Sequence, residues 1–193
     1  MAGKAFNGGR RFWRLAPWAI SALLLLLPLV AMQFTDEVAW DETDFAVFGA
    51  MLFGACGTYE LAARMTGSVA YRAAVGVAVA AAFVLIWINL AVGIIGSEDN
   101  PANLMYGGVL AAGIVGALVV RFQPRGMALA LAATALAQVL VGVIALTAGL
   151  GSTGENWPRV VLVLTGFFAA LWLLSAWLFR KAAREPASTG AAS

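Results

Sequence analysis

The 193-residue chain contains no histidine and a single cysteine. Without histidine it lacks the commonest metal ligand, haem ligand and general base near neutral pH. With Cys56 alone no intrachain disulfide can form, and its place inside an apolar run reads as a small packing residue. Charge is scarce too: 11% of the residues are charged, against roughly a quarter in a soluble domain. The sequence also has no His-Glu-x-x-His zinc pair, no nucleophile elbow and no glycine-rich phosphate loop followed by Lys-Ser/Thr. These absences point away from an enzyme and from any bound cofactor or metal.

What fills the chain instead is apolar. Hydrophobic residues make up 62% of it and the mean hydropathy is +0.89, the composition of a membrane protein. The polar stretch Gly96-Ser97-Glu98-Asp99-Asn100-Pro101-Ala102-Asn103 sits between two uncharged runs, residues 73–96 and 104–120. Only a helix satisfies its own backbone in lipid, so such a pair predicts an antiparallel transmembrane hairpin. Gly151-Ser152-Thr153-Gly154-Glu155-Asn156-Trp157-Pro158 repeats the device. The two apices share Gly-Ser, an acid, Asn and Pro in the same order, which suggests either a duplicated hairpin or simply the residues that turns favour. Asn89 and Gln138 do not align under such a repeat.

Taken in order, the pattern predicts an all-α, polytopic membrane protein with six transmembrane helices in three antiparallel hairpins. Residues 1–14 form a basic segment (Lys4, Arg10, Arg11, Arg14), residues 15–180 the transmembrane domain, and residues 181–193 a disordered tail rich in Ala, Ser, Thr and Gly. The run 15–34 is about the roughly 20 residues a span requires. No small-x-small cleavage site follows Leu29-Val30-Ala31, so it is expected to be retained as a first helix rather than removed as a signal peptide. Helix two is expected over 45–63, capped by Thr43 or Asp44. Helix three covers 73–96. Helix four starts at Pro101 behind Asn100 as N-cap, helix five covers 127–150, and helix six covers 158–179.

Orientation follows from charge. Of the 12 basic residues all but Arg159 fall on the side of the termini, and of the 10 acids all but Glu60 and Glu185 fall on the other. By the positive-inside rule both termini are cytoplasmic. The basic side is expected to meet anionic lipid headgroups; the pI of 9.0 carries no signature of nucleic-acid binding.

Few residues qualify as a site. Glu60 is the one acid inside an expected span, next to Tyr59 and four residues before Arg64, a spacing that puts the two charges on one helix face. It is either an anchoring pair near the cytoplasmic surface or a proton- or cation-handling carboxylate. Asn89 and Gln138 are amides within spans, suited to interhelical hydrogen bonding or to a ligand. At 1.5 Å per residue Asn89 lies roughly 10 Å and Glu60 roughly 22 Å from the outer face, too far apart to share a site in straight helices. Asp36, Glu37, Asp41, Glu42, Asp44, Glu98 and Asp99 make either a solvated acidic face or a divalent-cation patch. Glycines at 49, 54, 57, 76, 108, 113 and 116, with Ala112, permit close helix packing within the chain or between copies.

The segment from Asn89 to Leu104, Asn-Leu-Ala-Val-Gly-Ile-Ile-Gly-Ser-Glu-Asp-Asn-Pro-Ala-Asn-Leu, resembles uncharacterised small bacterial multi-pass inner-membrane proteins. That resemblance implies a bacterial inner membrane and no particular activity. The expected role is structural or accessory: binding a membrane-protein partner or a second copy through the acidic apices and small-residue faces. The alternative is a small cation- or proton-coupled transporter or channel subunit that uses Glu60, served by an acidic outer face that concentrates cations.

Overall fold

The structure, a computed structural model, describes residues 6–35, 38–154 and 156–185, with side chains from Trp18 onward. Lys4, Asp36, Glu37 and residues 186–193 therefore lie outside it. The regular elements among the described residues are all helical: α1 (Phe6–Ala31), α2 (Glu42–Met65), α3 (Val69–Ala91), a 3-10 turn (Pro101–Leu104), α4 (Met105–Val119), α5 (Pro124–Thr147) and α6 (Arg159–Ala182). Helix α2, helix α3, the 3-10 turn with α4, helix α5 and helix α6 are each long and apolar enough to cross a membrane. Their outward surfaces are apolar as well: Leu136 is 71% exposed and Val119 76%, positions that water would penalise and lipid does not.

Several expected boundaries move. Helix α1 starts at Phe6, so the basic segment is largely helical and not a separate extension. Helix α6 runs through Lys181 to Ala182, taking the first residues assigned to the tail. Helix α2 opens at Glu42, and its cap is Asp41 rather than Thr43 or Asp44. The Asp41 carboxylate accepts from the Thr43 and Asp44 amides at 2.7 and 2.9 Å, while Asp44 accepts from the Asp41 amide at 3.0 Å. This reciprocal capping box satisfies three otherwise unpaired first-turn amides, an arrangement worth about 1 kcal/mol. Ser68 caps α3 through the Tyr71 amide, 3.0 Å away.

The chain forms two compact units, Met1–Met65 and Thr66–Ser193. In the first, α1 and α2 pair antiparallel, with Trp18 on Phe53, Ser21 on Cys56 and Leu25 facing Gly49. In the second, α4 packs on α5, α5 on α6 and α6 on α3. Helix α5, between α4 and α6, is the most buried of the candidate spans. The expected pairing of helix three with helix four is thus corrected: the two are joined by their turn, yet the main partner of α3 is α6. The Ser175 hydroxyl donates to the Ala74 carbonyl at 2.7 Å, and Tyr71 meets Phe179 edge-on at 5.0 Å. The small residues of α4 explain its fit to α5. A Cβ on Gly116 would lie 2.8 Å from that of Ala130, and one on Gly113 3.3 Å from the Thr134 hydroxyl.

Both ends of the second unit are closed by turns. At one end the α4–α5 link places Arg121 and Phe122 at φ 51° and 59°, a left-handed conformation that side chains resist. The Tyr71 hydroxyl donates to the Phe122 carbonyl at 2.9 Å and ties this link to the start of α3. Arg72, Arg121, Arg125, Arg180 and Lys181 collect at this end. Glu98 and Asp99 stand at the other.

Candidate functional site

Glu60 is engaged at both carboxylate oxygens. Arg64 Nη2 lies 2.6 Å from Oε1, as the four-residue spacing implied, and the Trp18 indole N–H donates to Oε2 at 3.1 Å. The Arg64 side chain is 62% exposed and that of Glu60 26%, so the pair sits at the margin of its helix pair rather than in an enclosed pocket. Exposed pairs of this kind contribute well under 1 kcal/mol. Their effect is positional: a carboxylate held between a guanidinium and an indole fixes the register of α2 against α1. Tyr59 is half-buried on the adjoining flank. Trp18 is 42 residues away in the chain, and no spacing rule links it to Glu60.

The two amides are not equivalent. The Asn89 side chain donates to the Leu85 carbonyl of its own helix at 2.8 Å. Gln138 is fully buried at 0% exposure, and neither its Nε2 nor its Oε1 has a hydrogen-bond partner among the described residues. It belongs to the second unit with Asn89, whereas Glu60 belongs to the first.

The acidic face divides by role. Asp41 and Asp44 are consumed in the capping box, while Glu42, Glu98 and Asp99 are exposed. Among the described residues no three acids or cysteines lie close enough to hold a metal ion.

The end of the second unit that carries Glu98 and Asp99 has a built structure that the sequence reveals only in part. Asn100 caps as expected, its side chain accepting from the Ala102 amide at 3.0 Å. The principal brace is Asn103, which is 8% exposed. Its Oδ1 accepts from the amides of Ile94 and Ile95 at 3.1 and 2.9 Å, and its Nδ2 donates to the Ser97 carbonyl at 2.7 Å. One side chain thereby supplies the backbone partners that a turn leaving α3 would otherwise lack. The second apex comes directly against the first. Gly96 and Gly151 both adopt positive φ, 77° and 75°, and a Cβ on Gly151 would stand 2.6 Å from the Gly96 nitrogen. Beside this contact lies a cleft of about 240 Å³, lined by Gly93, Ile94, Asn156, Trp157 and Val161 among others. The Trp157 indole N–H on its wall is buried and unpaired among the described residues. Among the described residues the cleft brings no acid, no base and no nucleophile together.

No protein family, no curated protein and no solved structure matches this chain.

Proposed function

We propose that this is a non-enzymatic accessory protein of the bacterial inner membrane. Six helices span the bilayer, both termini are cytoplasmic, and the protein works by holding a partner membrane protein. The observation that carries this reading is the outward face of α2. Ala46, Ala50, Gly54 and Thr58 recur every fourth residue and are all exposed, and nothing lies within 4 Å of where a Cβ on Gly54 or Gly57 would be. The opposite face, with Phe48, Leu52 and Cys56, is buried in the helix's own unit. A smooth small-residue strip of that length suits close approach of another helix in lipid, where packing and not hydrophobicity drives association. The cationic end of the second unit is read as the cytoplasmic side, set against anionic headgroups.

A carrier role for Glu60 is the weaker reading, since both of its oxygens are held by Trp18 and Arg64. The test is crosslinking in native membranes followed by copurification. A stoichiometric partner is expected, with recovery cut several-fold by Gly54→Leu; recovery of no such partner by the wild-type chain overturns the proposal. Proteoliposomes complete the test: cation or proton flux that Glu60→Gln abolishes would move the carrier reading ahead.

A further inference from the structure

The core shared by α4, α5 and α6 contains polar groups that the protein itself does not satisfy. Tyr106 on α4, Gln138 on α5 and Trp172 on α6 are 2%, 0% and 3% exposed. The Tyr106 hydroxyl, both amide atoms of Gln138, the Thr165 hydroxyl and the Trp172 indole N–H are buried and have no hydrogen-bond partner among the described residues. More than nine in ten buried polar groups in folded proteins are paired, so a cluster of this kind calls for an explanation.

Helix geometry places them in one seam. The Tyr106 and Thr165 hydroxyls lie close enough to interact, and a bond between them would still leave the Gln138 amide and the Trp172 indole N–H without partners among the described residues. Thr165 faces α5, because a Cβ on Gly142 would stand 2.5 Å from its hydroxyl. Gln138 lies one turn from Gly142 on the same face of α5, and Trp172 two turns from Thr165 on the same face of α6. Since α5 and α6 run antiparallel, Gln138 falls between the levels of Thr165 and Trp172. The row from Tyr106 to Trp172 is then about 10 Å long at 1.5 Å per residue. Val161, one of the residues lining the apical cleft, is one turn from Thr165 on α6.

We propose that Tyr106, Gln138, Thr165 and Trp172 form an internal hydration site, a short chain of ordered water molecules between α4, α5 and α6. The donor set favours water over an ion. It has an amide carbonyl, an amide NH₂, two hydroxyls and an indole N–H, and no carboxylate, guanidinium or amine that would select a charge. A water molecule both donates and accepts, so it can serve the Gln138 carbonyl on one side and the indole on the other; buried waters make about three such bonds.

Radiolytic hydroxyl labelling of the full chain in lipid nanodiscs, read by mass spectrometry, uses bound water itself as the probe. Tyr106 and Trp172 should be modified several-fold more than Phe168 and Phe179, which are equally buried but carry no polar atom. Gln138→Leu should lower modification of Tyr106 and Trp172 several-fold while leaving both phenylalanines unchanged, and Gln138→Met gives the same reading if the leucine variant folds poorly. Wild-type labelling of Tyr106 and Trp172 at the phenylalanine background overturns the proposal without recourse to any variant. Unchanged labelling in a folded Gln138 variant overturns it equally.

Discussion

The two apices of the second unit are written with nearly the same residues and are held by different means. The first, from Gly93 to Asn103, is braced by a side chain: Asn103 reaches back to residues 94, 95 and 97, and Asn100 caps the turn that follows. The second closes on its own backbone, through Leu150 to Ala145, Ser152 to Gly149, Gly154 to Gly151 and Trp157 to Gly154. The Pro158 cap of α6 has no side-chain hydrogen bond. The hairpins beneath them differ as well, since α5 packs closely on α6 while α3 turns to α6 instead of α4. The shared Gly-Ser, Asn and Pro therefore record what a tight turn requires, not a common packing plan.

This contrast can be broken at its point of contact. Gly151→Ala adds a side chain at positive φ and drives it into the Gly96 backbone, which cannot rotate away. A loss of about 3 kcal/mol or more is expected from backbone strain and overpacking together. Gly149→Ala shares the positive φ, 65°, but its Cβ would meet only the Ser152 hydroxyl at 4.0 Å, so about 1 kcal/mol is expected there. Thermal unfolding in detergent, followed by circular dichroism, checks both; equal effects at the two glycines would show that the apices do not touch.

The next comparison sets the bracing Asn103 of the first apex against Asn156, the asparagine of the second. Asn103→Ala strands the Ile94 and Ile95 amides and should cost about 3 kcal/mol. Asn156→Ala alters an exposed side chain and should stay within about 0.5 kcal/mol. Amide hydrogen exchange at residues 94 and 95 should rise sharply in the first variant only. A small effect of opposite sign belongs to the turn at the opposite end, where left-handed backbone carries side chains and not glycine. Phe122→Asn should stabilise by about 0.5 kcal/mol, because asparagine accepts that conformation more readily. Tyr71 bonds the Phe122 carbonyl, so this contact survives the change.

Much of the architecture is legible in the chain because lipid imposes a blunt rule: long uncharged runs become helices. The Asn100 cap and the Glu60–Arg64 pair were legible too, being local and governed by spacing of a few residues. Long-range choices were not. Nothing in the runs themselves indicates that α3 prefers α6, that Trp18 reaches Glu60, or that Gly96 meets Gly151. Asn103 was visible in the apex, but its burial depends on a backbone path through Gly93 and Gly96, both at positive φ. The α2 cap was misplaced by two or three residues, at Thr43 or Asp44 instead of Asp41, because several neighbouring polar side chains offered equivalent caps and only the backbone geometry decides among them. Gln138 was recognised as a polar residue in a span; that both ends of its amide lack a partner among the described residues follows only from its full burial in the helix packing.

The meeting of Gly96 with Gly151 limits how the second unit can flex. With no side chain between the two backbones, neither loop can slide past the other without a steric collision. Any sliding of one turn past the other has to open this contact first, while at the opposite, arginine-rich end the left-handed Arg121-Phe122 link is joined to the start of α3 by the Tyr71 hydroxyl.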